Sequence, residues 1–284
     1  MSHHYLHFDR VCYRYPDGHE ALRGVSLHIT HGEKVALVGA NGAGKSTLLL
    51  HTAGLLLPTE GEVAVGGIKL TARTLAYVRQ TVGLVFQHPD NQLFMPTVEE
   101  DVAFGPANMG LTPEEIERRV TEALEAVGAL HLRKRSPCRL SGGQKRSAAI
   151  ATVLAMEPSV LVLDEPTSDL DPRARRQTIE LLRRFDHTML VATHDLEMAV
   201  ELCPRTVILR DGEIAADGPT ADLFRDTALL DACALEQPLL DAKMKNGLSN
   251  DNPLCYMRSK KRWNQRNRPR RSNCEALPSH NKNR

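Results

Sequence analysis

The chain has 284 residues, 42% hydrophobic, 25% charged and only 4% aromatic, with 36 basic against 35 acidic side chains, an ordinary globular composition for one large or two small domains. The longest uninterrupted apolar run, Ala148 to Met156 apart from Thr152, is roughly half of the ~20 residues that a membrane helix needs, so no span is expected. The stretch Met1-Ser2-His3-His4-Tyr5 has neither the basic start nor the apolar core of a signal peptide, and export is not expected.

In chain order, residues 6–15 alternate apolar and polar through Leu6 and Phe8, then Val11, Tyr13 and Tyr15, and 25–29 do so again through Val25, Leu27 and Ile29. Each reads as a half-buried strand, the two antiparallel because turn residues separate them. The short continuous apolar runs Val35-Ala36-Leu37-Val38, Val160 to Leu163 and Met189 to Ala192 read as parallel strands covered on both faces, forming a central sheet. Pro113 to Val127 places Ile116, Val120, Leu124 and Val127 at helical spacing, with Thr112 as its cap and Pro113 in its first turn. A further helix is expected after Asp171, with Pro172 at its first position and Ile179, Leu181, Leu182 and Phe185 as its apolar contacts. Arg205 to Gly218 reads as two strands around an Asp211-Gly212 turn.

The C-terminal stretch is a different kind of polymer. Residues 243–284 carry twelve Lys or Arg against Asp251 and Glu275, a surplus of ten positive charges that leaves residues 1–242 at −9. With few apolar residues it cannot bury enough surface to offset the entropy of ordering, so a disordered basic tail is expected, binding to anionic lipid or nucleic acid being the sharper alternative. Its Trp263 is the only tryptophan. The cysteines at 12, 138, 203, 233, 255 and 274 contain no C-x-x-C pair and read as reduced cytosolic thiols, and His3, His4 and His7 as a solvated cluster.

Three motifs carry chemistry. Gly39-Ala40-Asn41-Gly42-Ala43-Gly44-Lys45-Ser46 satisfies G-x-x-x-x-G-K-[ST] directly after the strand Lys34 to Val38 and ahead of the helical run Thr47 to Thr52. Its glycines let successive N–H groups turn toward a polyphosphate, Lys45 supplies a point charge to the outer phosphates, and the Ser46 hydroxyl can ligate Mg2+. Leu161-Val162-Leu163-Asp164-Glu165 ends a buried strand in two carboxylates; Asp164 is placed for the Mg2+ shell and Glu165 to polarise an attacking water as general base. Leu140-Ser141-Gly142-Gly143-Gln144 precedes an apolar helix and presents a hydroxyl and bare N–H groups at its N-terminus, a second anion site. If the two anion sites serve one nucleotide within one chain they must converge across the domain. If they serve different nucleotides, two chains pair head to tail around two ATP molecules.

These residues resemble an ATP-binding-cassette nucleotide-binding domain over about residues 5–242. The resemblance implies an α/β fold: a P-loop NTPase cassette with a RecA-like core, an antiparallel β subdomain and an inserted helical subdomain at about 88–157. It implies ATP and Mg2+ as cofactors, with Gly39, Asn41, Gly42, Gly44, Lys45, Ser46 and Thr47 around the phosphates and Ser141, Gly142, Gly143 and Gln144 facing the opposite nucleotide. Tyr15 matches the aromatic that stacks on adenine, Gln87 the glutamine loop that touches Mg2+ and water, Asp171 the loop that crosses the dimer interface, and His194 the switch histidine at the γ-phosphate. Asp169 stands where alanine is often found, and Ser147 where many relatives have arginine.

Only about 95 residues separate Lys45 from Leu140, enough for a small helical subdomain. Gln87 to Phe94 and Thr97 to Pro106 resemble energy-coupling-factor ATPases, and Leu163 to Asp195 is similar to their cobalt and nickel branch. The expectation is therefore an ATPase powering such an importer, peripheral on the cytoplasmic face of the cell membrane. Its partners would be a second cassette, like or unlike, an integral membrane coupling subunit and a substrate-binding membrane subunit. The alternatives are an importer of a vitamin or other micronutrient, and a soluble cassette ATPase acting on nucleic acid through the basic tail.

Overall fold

The computed structural model describes residues 5–238; His3, His4, the end of the expected cassette at 242 and the whole basic stretch with Cys255, Trp263 and Cys274 lie outside them. β1 (Leu6–Arg14) turns Leu6, Phe8 and Val11 into the core and pairs antiparallel with β2 (Glu20–Ile29). β2 begins at Glu20 rather than at Val25, because Gly24 interrupts the alternation: at φ +71 it forms an irregularity in which its N–H meets Cys12 Sγ at 3.1 Å. Tyr15 falls just beyond β1, in the connecting turn, where its N–H donates to the His19 carbonyl at 2.9 Å.

β3 (Lys34–Val38) leads through the glycine-rich loop into α1 (Lys45–Thr52). β4 (Glu60–Val65) and β5 (Ile68–Lys69) complete a four-stranded antiparallel sheet in the order β2-β1-β4-β5. α2 (Leu75–Thr81) then delivers β6 (Val82–Val85) to the edge of the main sheet. β6 carries no readable signal because Gly83 sits mid-strand. A Cβ there would lie 2.2 Å from Val153 Cγ1, so close helix packing and not strand propensity selects the residue.

Between β6 and the next strand lie three helices, α3 (Val98–Asn108), α4 (Pro113–Ala126) and α5 (Gly142–Leu154). They pack around their own apolar cluster, which includes Val98, Val102, Val120, Leu124, Leu132 and Ala148. α3 is fixed at its start by a reciprocal capping box between Thr97 and Glu100, α4 by the Thr112 hydroxyl and α5 by a second reciprocal box between Ser141 and Gln144.

The chain then re-enters the main sheet through β7 (Val160–Asp164), α6 (Pro172–Arg183), β8 (Thr188–Ala192), α7 (Leu196–Leu202), β9 (Arg205–Arg210) and β10 (Glu213–Pro219), followed by the short α8 (Thr220–Leu223) and α9 (Thr227–Ala232). The sheet runs β10-β9-β3-β8-β7-β6, with β10 antiparallel to β9 and the remaining neighbours parallel. The three strands expected from apolar runs are thus its centre, and β9 and β10, expected only as a strand pair, extend it on one side.

Register places the chemistry. Leu37 pairs with Ala192, and Ala192 with Asp164, so the glycine-rich loop, the segment before His194 and the carboxylate pair all emerge level from one sheet edge. Val85 pairs with Leu163, which brings Gln87 up beside Asp164. In an open parallel sheet this carboxyl-end edge is where ligands bind.

Candidate active site

The loop after β3 takes a shape that ordinary residues resist. Gly44 has φ +102, and a Cβ there would sit 2.4 Å from the Ala21 carbonyl oxygen; at Gly39 a Cβ would meet the Leu209 carbonyl oxygen at 2.2 Å. The loop therefore lies tight against the neighbouring strands and turns its N–H groups outward at the α1 N-terminus. Lys45 is folded back over the loop, donating to the carbonyls of Gly39 at 2.7 Å and Ala40 at 3.1 Å. Its burial lowers the ammonium pKa, while Glu165 and Asp164 pull it back up.

Asp164 and Glu165, adjacent in sequence, have different surroundings. Burial raises the Asp164 carboxyl above the ordinary range, opposed by a hydrogen bond from Ser46 and by the charge of Lys45. Glu165 is 6% exposed and adopts φ +47, a left-handed backbone that turns its side chain off the strand line into the cleft. Its Oε2 accepts from Thr193 Oγ1 at 3.1 Å, the His194 N–H at 3.3 Å and Ser168 Oγ at 3.4 Å. Its Oε1 lies 2.9 Å from His194 Nδ1. The His194 side chain is 66% exposed, so the ring has room to turn while the carboxylate stays held. Asp195 next to it caps α7 and accepts from Nε and Nη2 along one edge of the Arg175 guanidinium at 2.8 and 3.1 Å.

Lys45, Asp164, Glu165 and His194 border one cleft of about 670 Å³, together with Tyr15, Asn41, Gly42, Ser46, Thr47 and Gln87. Tyr15 Oη is 3.0 Å from Thr47 Oγ1, Tyr13 meets its ring edge-on at 4.9 Å, and the His19 ring lies nearly parallel to it at 6.3 Å. Of the cleft-lining residues, sequence reasoning missed His19, Ala21, Leu196 and Ala234 to Glu236. The last group follows α9, and no motif flags it; Ala234 at φ +55 marks the turn that sends the chain along the cleft wall.

The Ser141 to Gln144 tip does not reach this cleft. Ser141, Gly143 and Gln144 border a separate hollow of about 500 Å³ with Asp171 and Ser147. Gly143 lies against α6, where a Cβ would stand 3.2 Å from that of Ala174. Within one chain the two anion sites therefore do not converge. A third surface feature lies where β6 meets the helices: Phe94, 64% exposed, packs edge-on against Phe104 at 5.0 Å above an apolar groove that also takes in Leu55, Phe86 and Met156.

Residues 22–168 match the ABC transporter family. The chain belongs to this family. A Geobacter sulfurreducens protein named as an ABC transporter ATP-binding protein is 61% identical over 239 residues, covering 84% of this chain and 96% of that protein. The energy-coupling factor transporter ATP-binding protein EcfA of Methanothermobacter thermautotrophicus is 46% identical over 233 residues, 80% of this chain and 75% of its own length. Among solved structures, CbiO1 from Clostridium perfringens, part of the ABC transporter complex CbiONQ, superposes with a TM-score of 0.72 at 36% identity, covering 81% of this chain and 94% of CbiO1. The dimeric cassette MJ0796, bound to ADP and Pi after hydrolysis, gives 0.70 at 32% identity over 76% of this chain and 98% of its own. The protein is thus an ATPase of an ABC transporter with the cassette P-loop NTPase fold, a family whose cassettes dimerise and work with membrane subunits. Among the described residues no helix is long and apolar enough to cross a membrane.

Proposed function

We propose that the chain is the ATP-hydrolysing subunit of an energy-coupling-factor importer for cobalt or nickel ions, attached to the cytoplasmic face of the membrane. Relatives named EcfA and the likeness to CbiO1 support the transporter class. The exposed Phe94–Phe104 groove supports attachment, offering an apolar seat for a helix of the membrane coupling subunit.

The observation that carries the enzymatic half is the held Glu165 carboxylate, beside Lys45 and His194 at one sheet edge. Oxygen donors from Ser46 and Asp164, already hydrogen-bonded to each other, and Gln87 on the same cleft make a set that suits a hard dication. Bound there, Mg2+ would supply positive charge against the β- and γ-phosphate oxygens. Tyr15 offers its ring face to adenine and the loop N–H groups hold the phosphates. Lys45 exchanges the Gly39 and Ala40 carbonyls for the outer phosphates. Glu165, with Oε2 occupied by three donors, keeps Oε1 as the oxygen that takes a proton from the attacking water once His194 turns toward the γ-phosphate.

Since Ser141 to Gln144 and Asp171 face a different hollow, the reading places them against the nucleotide of a second cassette, and ATP binding closes the pair. Hydrolysis reopens it, and the groove passes the motion to the membrane subunit. ATP-dependent uptake of radioactive cobalt or nickel into cells, with and without the chain, tests the assignment. Uptake lost on deletion and regained with the intact chain supports it; unchanged uptake of both ions removes the cargo from the proposal.

A further inference from the structure

Gln87 is suspended from the helix that bears the Ser141 tip. Arg146, on the first turns of α5 and only 3% exposed, donates Nη1 to the Phe86 carbonyl at 2.8 Å and Nη2 to the Gln87 carbonyl at 2.6 Å. Phe86 is also held through its own amide. Its N–H donates to Gln92 Oε1 at 3.2 Å, and Gln92 Nε2 donates to Ala149 O and Thr152 Oγ1 on α5, both at 2.7 Å. A third link joins Lys145 to Asp90 at 2.6 Å. α5 cannot shift without carrying the backbone of residues 86–92 with it.

Arg146 has one group left over. Its Nε is buried without a partner, and Arg146 and Asp169 line one cavity of about 240 Å³. Burial lowers the Arg146 pKa, and among the carboxylates that oppose this Asp169 acts most strongly, ahead of Asp164 and Glu165. Asp169 is exposed, sits at φ +61 in the loop before α6, and forms no ion pair with Arg146 in this conformation. The acidic residue in that loop therefore shares a cavity with the buried arginine that precedes Ser147.

We propose that Arg146 is a positioning residue that makes Gln87 at a chain's own nucleotide answer to the engagement of its Ser141 tip with the opposite one, and that Asp169 sets the strength of this link. The proposal rests on the paired-cassette reading above and names how its two sites communicate. When α5 moves as its tip closes on the partner's nucleotide, the two carbonyl bonds draw Gln87 along. Arginine suits this place because its planar guanidinium reaches the two carbonyls from two separate nitrogens in a fixed fork, whereas a lysine would have to reach both from one freely rotating ammonium on a shorter polar head.

The test uses the full-length chain and four readouts: melting temperature, fluorescent-ATP affinity without Mg2+, steady-state kcat, and the Mg2+ concentration giving half-maximal rate. Arg146→Lys should lower kcat about tenfold and raise the Mg2+ requirement, with nucleotide affinity within about twofold of wild type. Asp169→Asn should lower kcat severalfold, and should have no further effect in the Arg146→Lys background. A folded Arg146→Lys chain with normal kcat and Mg2+ requirement overturns the proposal, as does a loss of melting temperature with kcat per folded molecule unchanged. Fully additive effects of the two substitutions remove Asp169 from it. Should Arg146→Lys fail to fold, unchanged kcat in Asp169→Asn overturns the coupling on its own. Ser141→Arg run alongside separates the failures: normal turnover in that variant defeats the paired-cassette reading, whereas its loss together with a normal Arg146→Lys defeats only the link.

Discussion

Replacing Glu165 by Gln should abolish turnover while leaving the fold almost untouched, and the hydrogen bonds around the carboxylate show why. Oε2 accepts from Thr193, Ser168 and the His194 N–H, and a glutamine amide oxygen can occupy that place and keep all three donors satisfied. The amide nitrogen then replaces Oε1 beside His194 Nδ1, where the imidazole can accept instead of donate by changing tautomer. The stability cost should stay below about 1 kcal/mol. Proton abstraction from water is lost, however, and general-base catalysis contributes typically about 10²–10⁴ in rate, or about 3–5 kcal/mol of barrier. Glu165→Ala separates the two effects: it should be equally inactive and also destabilised by about 1–3 kcal/mol, because the buried Thr193 hydroxyl and its neighbours lose their acceptor. Phosphate release under saturating MgATP measures the rate and thermal unfolding the stability. Turnover of Glu165→Gln within tenfold of wild type would refute the general-base reasoning, and an Ala variant as stable as the Gln variant would refute the hydrogen-bond account.

Four other expectations follow from the same geometry. Asp164→Asn should raise the melting temperature of the nucleotide-free protein at neutral pH while ending Mg2+-dependent hydrolysis. Because burial lifts the folded-state pKa above the unfolded value, the ionised carboxyl costs stability once the pH exceeds the unfolded carboxyl's ~3.9, and the gap between wild type and variant should close as the pH falls below it. Lys45→Ala should weaken ATP affinity at least about tenfold by equilibrium binding, since the ammonium that now donates to the Gly39 and Ala40 carbonyls and would turn to the outer phosphates is lost. Phe94→Asp should leave the ATPase of the isolated chain intact but end its co-purification with detergent-solubilised membrane subunits. Gly83→Ala should cost about 1–3 kcal/mol in urea unfolding, as the new methyl has to displace Val153 and Pro158.

What could be read from the sequence divides along physical lines. Elements that announce themselves through local chemistry appear where expected: Thr112 and Pro113 open α4, Asp171 and Pro172 open α6, and Asp211-Gly212 joins β9 to β10. The cleft was legible for the same reason, since its residues cluster in short motifs at strand ends and sheet register aligns those ends. Elements whose residues answer to distant neighbours were not legible. β6 contains a glycine dictated by Val153, the start of β2 is hidden by the Gly24 irregularity, and α3 carries Pro106 inside it. Ala234 to Glu236 joins the cleft only because α9 folds back there, and nothing in three residues records that. The Arg146 clamp was equally silent: its acceptors are backbone carbonyls, which carry no sequence signature.

The account turns on a nucleotide shared between the Lys45 loop of one copy and the Ser141 tip of another, and mixing two inactive chains measures this directly. Lys45→Ala spoils only a chain's own loop and Ser141→Arg only its tip, so each variant alone should be inactive. In an equimolar mixture half of the pairs are mixed, and each mixed pair regenerates one intact site, so ATPase activity should recover to about a quarter of the wild-type value. A mixture as inactive as its two components would contradict the shared site.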